Sequence, residues 1–171
     1  MTKSLVIEAI PGVTPMMGSL LGMLRYARKT TLSAVDGLTV RDLDHLQDSE
    51  SNSIGALLNH IAAVEAWYQA STFDEGEWTD QQAQRWQAAL ELGPAAREQI
   101  RGHPLAYYLE LLTTVRTRTE AELRARDDVW LAESERFSGG VVNNHWKWFH
   151  VFEDEINHRG QIRWLRARLP L

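Results

Sequence analysis

Residues 14–35 read TPMMGSLLGMLRYARKTTLSAV. Met17, Leu20, Leu21, Leu24, Ala27 and Thr31 recur at steps of three and four, which places them on one face of an α-helix. Thr14-Pro15 in front of them is a helix start, with Thr as the cap and Pro at the first helical position. The same periodicity returns three times along the chain. Behind the cap candidates Ser51-Asn52-Ser53 stand Leu57, Leu58, Ile61, Val64 and Tyr68, predicting a helix over 53–71. Behind Gly102-His103-Pro104 stand Leu105, Tyr108, Leu109, Leu112, Val115, Thr119 and Leu123, predicting one over 104–127. The last begins near Asn143 or Asn144 and runs to Arg168, where Leu169-Pro170 ends it.

Four long amphipathic segments without strand-like alternation predict an all-α chain built as a four-helix bundle. The remaining signals are short. Residues up to Pro11-Gly12 read as extended, and Thr39-x-x-Asp42 caps a brief turn of helix. Thr79-Asp80-Gln81-Gln82 opens a shorter helix to Glu91, which Gly93-Pro94 breaks, and Ser138-Gly139-Gly140 is a turn. The insert over 72–103 is too long for a tight hairpin, so the bundle is expected to contain a long crossover connection.

With 171 residues, the whole of 1–171 is expected to be a single domain. A net charge of −5 and a pI near 5.7 exclude the clustered basic surface of a nucleic-acid binder. The absence of Cys excludes disulfides, thiolate zinc sites, iron–sulfur clusters and a cysteine nucleophile. No apolar run reaches the length of a membrane span. The opening MTKSLVIEAIPGVTP carries Glu8 inside its apolar patch and no small-residue cleavage site, so a cytoplasmic protein is expected.

The chemistry gathers on the last helix. His150, Asp154 and His158 stand four apart on one face, the outer two differing by about 80° around the axis. Together they span about 12 Å of axis, too far for one ion to take all three, so the adjacent pair Asp154/His158 is the natural bite and His150 lies above it or outside. A facing helix must supply the next ligand, and His60, among Leu57, Ile61, Val64 and Tyr68, is the candidate. Two imidazoles and a carboxylate make an open divalent-metal site. The competing readings are plain ones. Asp154/His158 is also an ordinary i, i+4 ion pair, and an inward His is commonly a hydrogen-bonded core residue.

Glu153 and Glu155 are alternative carboxylates, turned about 100° to either side of Asp154. Glu65 is expected to face solvent, and His45, His103 and His145 to be exposed. Trp146, Trp148, Phe149 and Phe152 are expected in the core or an interface. Gly160, in mid-helix, costs about 1 kcal/mol relative to Ala and implies the close approach of a neighbouring helix or a ligand. Arg163, Arg166 and Arg168 suit a helix C-terminus. There is no Gly-rich phosphate loop and no G-x-S-x-G elbow.

The segment 53–68, SIGALLNHIAAVEAWY, resembles the second helix of the DinB/YfiT-like superfamily. Residues 150–162, HVFEDEINHRGQI, resemble that family's H-x3-H-x3-H-R-G-Q pattern, and Gly37-Leu38-Thr39 fits its first connection. The likeness covers nearly the whole chain in length and helix order. It implies a four-helix bundle with a crossover and a divalent metal, zinc or nickel, held by His60, Asp154 and His158. Asp154 stands where the commonest family residue is His. A carboxylate, usually Glu, occurs there in the branch resembling mycothiol-dependent transferases, which the His60 block also resembles, whereas the HRGQ block resembles the bacillithiol-transferase-like branch. The function implied is a metal-dependent transferase joining a low-molecular-weight thiol to an electrophilic small molecule, with both as its partners. The alternatives are a metal-dependent hydrolase and a non-enzymatic, stress-related metal-binding bundle; iron(II) oxygen chemistry ranks below both. Seven Trp in so short a chain, with the family's habit, imply a homodimer.

Overall fold

The computed structural model describes residues 6–74, 78–137 and 140–170. Among them the chain forms α1 (Pro15–Val35), α2 (Val40–Asp44), α3 (Ile54–Phe73), α4 (Asp80–Glu91), α5 (Gly93–Gln99), α6 (Leu105–Arg124), α7 (Asp128–Ala132) and α8 (Asn144–Arg166). A small antiparallel hairpin, β1 (Ser134–Phe137) and β2 (Gly140–Asn143), lies between α7 and α8, pairing Ser134 with Asn143. The helix starts are set by the residues that cap them. Ser53 Oγ accepts from the Ala56 N–H, and Asn143 Oδ1 from the Trp146 N–H. Reciprocal capping boxes open α2, through Thr39 and Asp42, and α4, through Thr79 and Gln82.

α1 packs on α8, α8 on α3, and α3 on α6, while α1 and α6 meet less closely. This is the expected four-helix bundle. α4 and α5 make the crossover between its second and third long members, and α4 lies along α3. The apolar stripes read from the sequence are buried: Met17, Leu20, Leu21 and Leu24 on α1, Leu57, Leu58 and Ile61 on α3, Tyr108, Leu112 and Leu123 on α6. Trp148 and Phe152 are core, while Trp146 and Phe149 stay exposed.

Several sequence expectations give way. The chain does contain strands; four-residue strands are too short to show alternation, and the expected turn at 138–140 falls mostly outside the described residues. α6 stops at Arg124 because Asp127 caps a new helix, its carboxylate accepting from Val129 and Trp130 N–H. Gly93-Pro94 ends α4 but also starts α5, Pro being tolerated in a first turn where its missing N–H is not needed. Thr14 does not cap α1. Its hydroxyl donates to Asp128 Oδ1 at 2.5 Å, and the Asp128 carboxylate itself takes the Met16 and Met17 N–H groups, so the cap comes from a residue of α7.

Glu65 is the largest departure. It is fully buried, in a square of charges with one corner on each long helix: Arg28 of α1, Glu65 of α3, Arg116 of α6 and Glu155 of α8. Arg28 Nη2 and Arg116 Nε donate to Glu65 at 2.8 and 2.6 Å. Arg28 Nε and Arg116 Nη2 donate to Glu155 at 2.9 and 3.1 Å. The remaining guanidinium N–H groups bond the Leu112 and Leu24 carbonyls. Each charge is thereby paired and hydrogen-bonded, the condition under which charges are tolerated in a core.

Burial alone would raise the Glu65 pKa; the Arg116 and Arg28 guanidiniums outweigh it and hold the carboxyl at about 2. A native pKa below the unfolded value contributes stability above about pH 4.5, lost as the pH falls through about 2. Unfolding free energy from urea melts is therefore expected to fall by about 3 kcal/mol between pH 5 and 2 on account of this group. Glu65→Gln should flatten that part of the profile; an unchanged slope in the variant would assign the acid loss elsewhere.

Candidate metal centre

α3 and α8 face each other across the seam that holds His60, Asp154 and His158. Their candidate ligand atoms all lie within 4.8 Å of one another. His158 Nε2 is 3.3 Å from Asp154 Oδ1, and His60 Nε2 is 3.8 Å from the same oxygen. The imidazole centroids are 4.6 Å apart in an edge-to-face arrangement. All three side chains are mostly buried, 12, 16 and 12% exposed for His60, Asp154 and His158.

The hydrogen bonds behind the rings decide what points inward. His60 Nδ1 is 2.8 Å from the Ala89 carbonyl of α4. A carbonyl can only accept, so a proton sits on Nδ1 and Nε2 is the atom turned to the seam. The Gln161 amide stands 3.4 Å from His158 Nδ1, one helical turn on. Burial alone would raise the Asp154 carboxyl; the two imidazoles outweigh it and hold it well below the usual carboxylate range. It is therefore an anion, and its Oδ2 is buried with no hydrogen-bond partner among the described residues.

The seam thus gathers two imidazole nitrogens and a carboxylate, a set satisfied by protons on the imidazoles or by a cation that takes their place. Separations of 3.3 and 3.8 Å are close to the edge of a tetrahedron with bonds of about 2.0–2.1 Å. The donor set fits a divalent ion of the zinc type and leaves part of its coordination sphere free.

A family model for mycothiol-S-transferase matches residues 19–170. The chain belongs to the mycothiol-S-transferase family. This DinB/YfiT-like family covers all four long helices and both blocks of the centre. A crystallographically solved conserved protein from Enterococcus faecalis superposes with a TM-score of 0.67, covering 86% of this chain and 93% of that one. At 14% identity the likeness speaks for the fold alone. No curated protein matches the chain.

In this mycothiol-S-transferase family member the other candidates fall outside the trio. His150 is turned to Glu153, 2.9 Å away, and stacks on the exposed Trp146. Glu153 is thereby accounted for, and Glu155 belongs to the buried square. His45, His103 and His145 are half-buried rather than exposed, and His103 stacks on Tyr107 at 4.0 Å. Arg159, set apart from the other arginines of the helix end, donates to Thr30 of α1. Gly160 meets no neighbouring helix: a Cβ there would have nothing within 4 Å among the described residues.

Sequence reasoning missed Ala89 and Tyr68. Ala89 acts through its carbonyl, so no residue type announces it. Tyr68 read as one more apolar stripe position, yet it is close enough to Asp154 for that charge, after burial, to raise its phenol to about 12. It stays protonated at neutral pH and keeps an O–H to donate.

Proposed function

We propose that this chain is a divalent-metal-dependent thiol S-transferase that joins mycothiol to an electrophilic small molecule. The carrying observation is the inward-facing trio His60, Asp154 and His158, in a chain of the mycothiol-S-transferase family. A divalent ion held there supplies a Lewis acid that lowers the pKa of a coordinated thiol.

The chain's own groups prepare that site. The Ala89 carbonyl holds the His60 ring with Nε2 toward the seam, and the Gln161 amide stands behind His158. Asp154 adds one negative charge, offsetting part of the ion's +2 and moderating its Lewis acidity relative to a three-histidine set. Tyr68, buried near Asp154, keeps its phenol protonated and so adds no further charge to the site. In the transfer the thiol gives its proton to solvent, the sulfur lone pair forms the S–C bond, and the leaving group departs with the electrons of the broken bond. With no cysteine in the chain, the protein offers no competing thiol of its own.

Zinc-loaded protein is expected to conjugate mycothiol to a generic aryl halide, with His158→Ala reducing the rate by at least about 100-fold. Consumption of the electrophile at the same rate without thiol would replace this reading with a hydrolase. Among the described residues no helix is long and apolar enough to cross a membrane. We also propose, from the exposed rings of Trp146 and Phe149, that the protein works as a homodimer, which its mass in solution reports.

A further inference from the structure

The buried square repeats itself. Arg28 of α1 donates through Nη1 to the Leu112 carbonyl of α6 at 2.6 Å, and Arg116 of α6 donates through Nη1 to the Leu24 carbonyl of α1, also at 2.6 Å. Arg28 Nε donates to Glu155 of α8, and Arg116 Nε to Glu65 of α3. Each Nη2 donates to the carboxylate of its own half of the chain, Arg28 to Glu65 and Arg116 to Glu155. Those partners lie 37 residues apart in the first half and 39 in the second. Exchanging α1 with α6 and α3 with α8 therefore maps the network onto itself, bond for bond. The same exchange carries Leu24 to Leu112, Thr31 to Thr119, and Ile61 to Val151, all buried. The bundle is two helical hairpins, α1 with α3 and α6 with α8, related by an internal two-fold axis.

In the α3/α8 seam this axis relates His60 to His150 and His158 to Tyr68. The rings obey it. His60 and His158 meet edge to face at 4.6 Å and 75°, and Tyr68 and His150 meet edge to face at 6.0 Å and 74°. With His60 against His158 at one end and Tyr68 against His150 at the other, Val64 and Asp154 share the layer between. Nδ1 of each related histidine has a partner, the Ala89 carbonyl for His60 and Glu153 Oε2 for His150. Asp154 turns Oδ1 to the trio, while its charge also acts on Tyr68. Its Oδ2 is buried with no hydrogen-bond partner among the described residues.

We propose that the seam contains a second, latent divalent-metal half-site, the two-fold mate of the trio, formed by His150 and Asp154 Oδ2 and lacking only an imidazole where Tyr68 stands. A neutral phenol is not among the usual donors to a zinc-type ion, so the wild-type centre is mononuclear. The arrangement accounts for the run His150, Asp154 and His158 on α8, which is too long for one ion: the three belong to two half-sites that share the carboxylate in the middle. The inference rests on the trio as a metal centre and is independent of the reaction assigned to it.

The test counts zinc per full-length chain by elemental analysis after free ion has been removed. Wild type is expected to hold one ion, and His150→Ala to leave that count unchanged. Tyr68→His, which adds an imidazole, should hold two, as should Val64→Asp/Tyr68→His, which adds a second carboxylate as well. His150→Ala on top of Tyr68→His should return the count to one. Circular dichroism identifies the folded variants. A folded Tyr68→His with a single ion, or a second ion that survives His150→Ala, would overturn the latent half-site and leave the trio standing. A wild type that holds no ion would overturn both. Should Tyr68→His fail to fold, the square decides. Arg28→Met and Arg116→Met should lower the urea midpoint alike, and shifts differing more than twofold would overturn the equivalence of the halves on which the half-site depends.

Discussion

Arg116→Met is expected to destabilise the protein by about 3–5 kcal/mol, the cost of leaving buried charge uncompensated. The variant keeps much of the side-chain volume but strands Glu65 and Glu155 with Arg28 as their one remaining cation in the square. The Leu24 carbonyl also loses its guanidinium partner. An internal control lies on the same two helices. Arg25 of α1 and Glu120 of α6 form an ion pair with side chains 42 and 26% exposed, where a pair contributes at most about 1 kcal/mol. Urea unfolding of Arg116→Met and Arg25→Ala side by side therefore separates the two environments. A loss in Arg116→Met no larger than in Arg25→Ala would mean that water reaches the square. Replacing all four members by apolar residues of similar volume should cost far less than the single change, because no charge is left behind.

The second large effect concerns the trio. His60→Ala or His158→Ala is expected to lower bound metal at least about tenfold, with helicity by circular dichroism close to wild type. Asp154 discriminates further. As a direct ligand its carboxylate contributes charge, so Asp154→Asn should weaken binding while Asp154→His, an alternative donor, should retain it. Competition with a chelator measures all of these. Asn binding as tightly as wild type, with His binding worse, would move Asp154 out of contact with the ion and leave it as an acceptor behind an imidazole. Unchanged stoichiometry in both histidine variants would remove the site altogether.

The four long helices and the caps of two of them, Ser53 and Asn143, were legible because each is a local event. A stripe at three- and four-residue steps, a Ser or Asn in front of it and a Gly or Pro behind it are all contained in one segment. The grouping of His60 with Asp154 and His158 was legible for a related reason, since two of the three share a helix face and the third stands on an apolar stripe. What could not be read locally was charge inside the core. Glu65, taken by itself, belongs in water; only Arg28, 37 positions earlier, and Arg116, 51 later, make its burial tolerable. Asp128 escaped in the same way, capping a helix more than a hundred residues away. The hairpin before α8 was too short to show a period.

The Ala89 carbonyl gives the crossover a role that side-chain replacement cannot reach. Any residue compatible with a helix at position 89 presents the same oxygen, and because Ala89 is itself buried, a scan of larger side chains there would report packing and not the loss of this contact. What the imidazole of His60 senses is whether α4 is docked. α4 is a twelve-residue helix packed chiefly on α3, the kind of peripheral element that opens before the rest of a bundle. When it lifts away, His60 loses the acceptor that holds its ring. The placement of one ring in the seam thus depends on the docking of a connection.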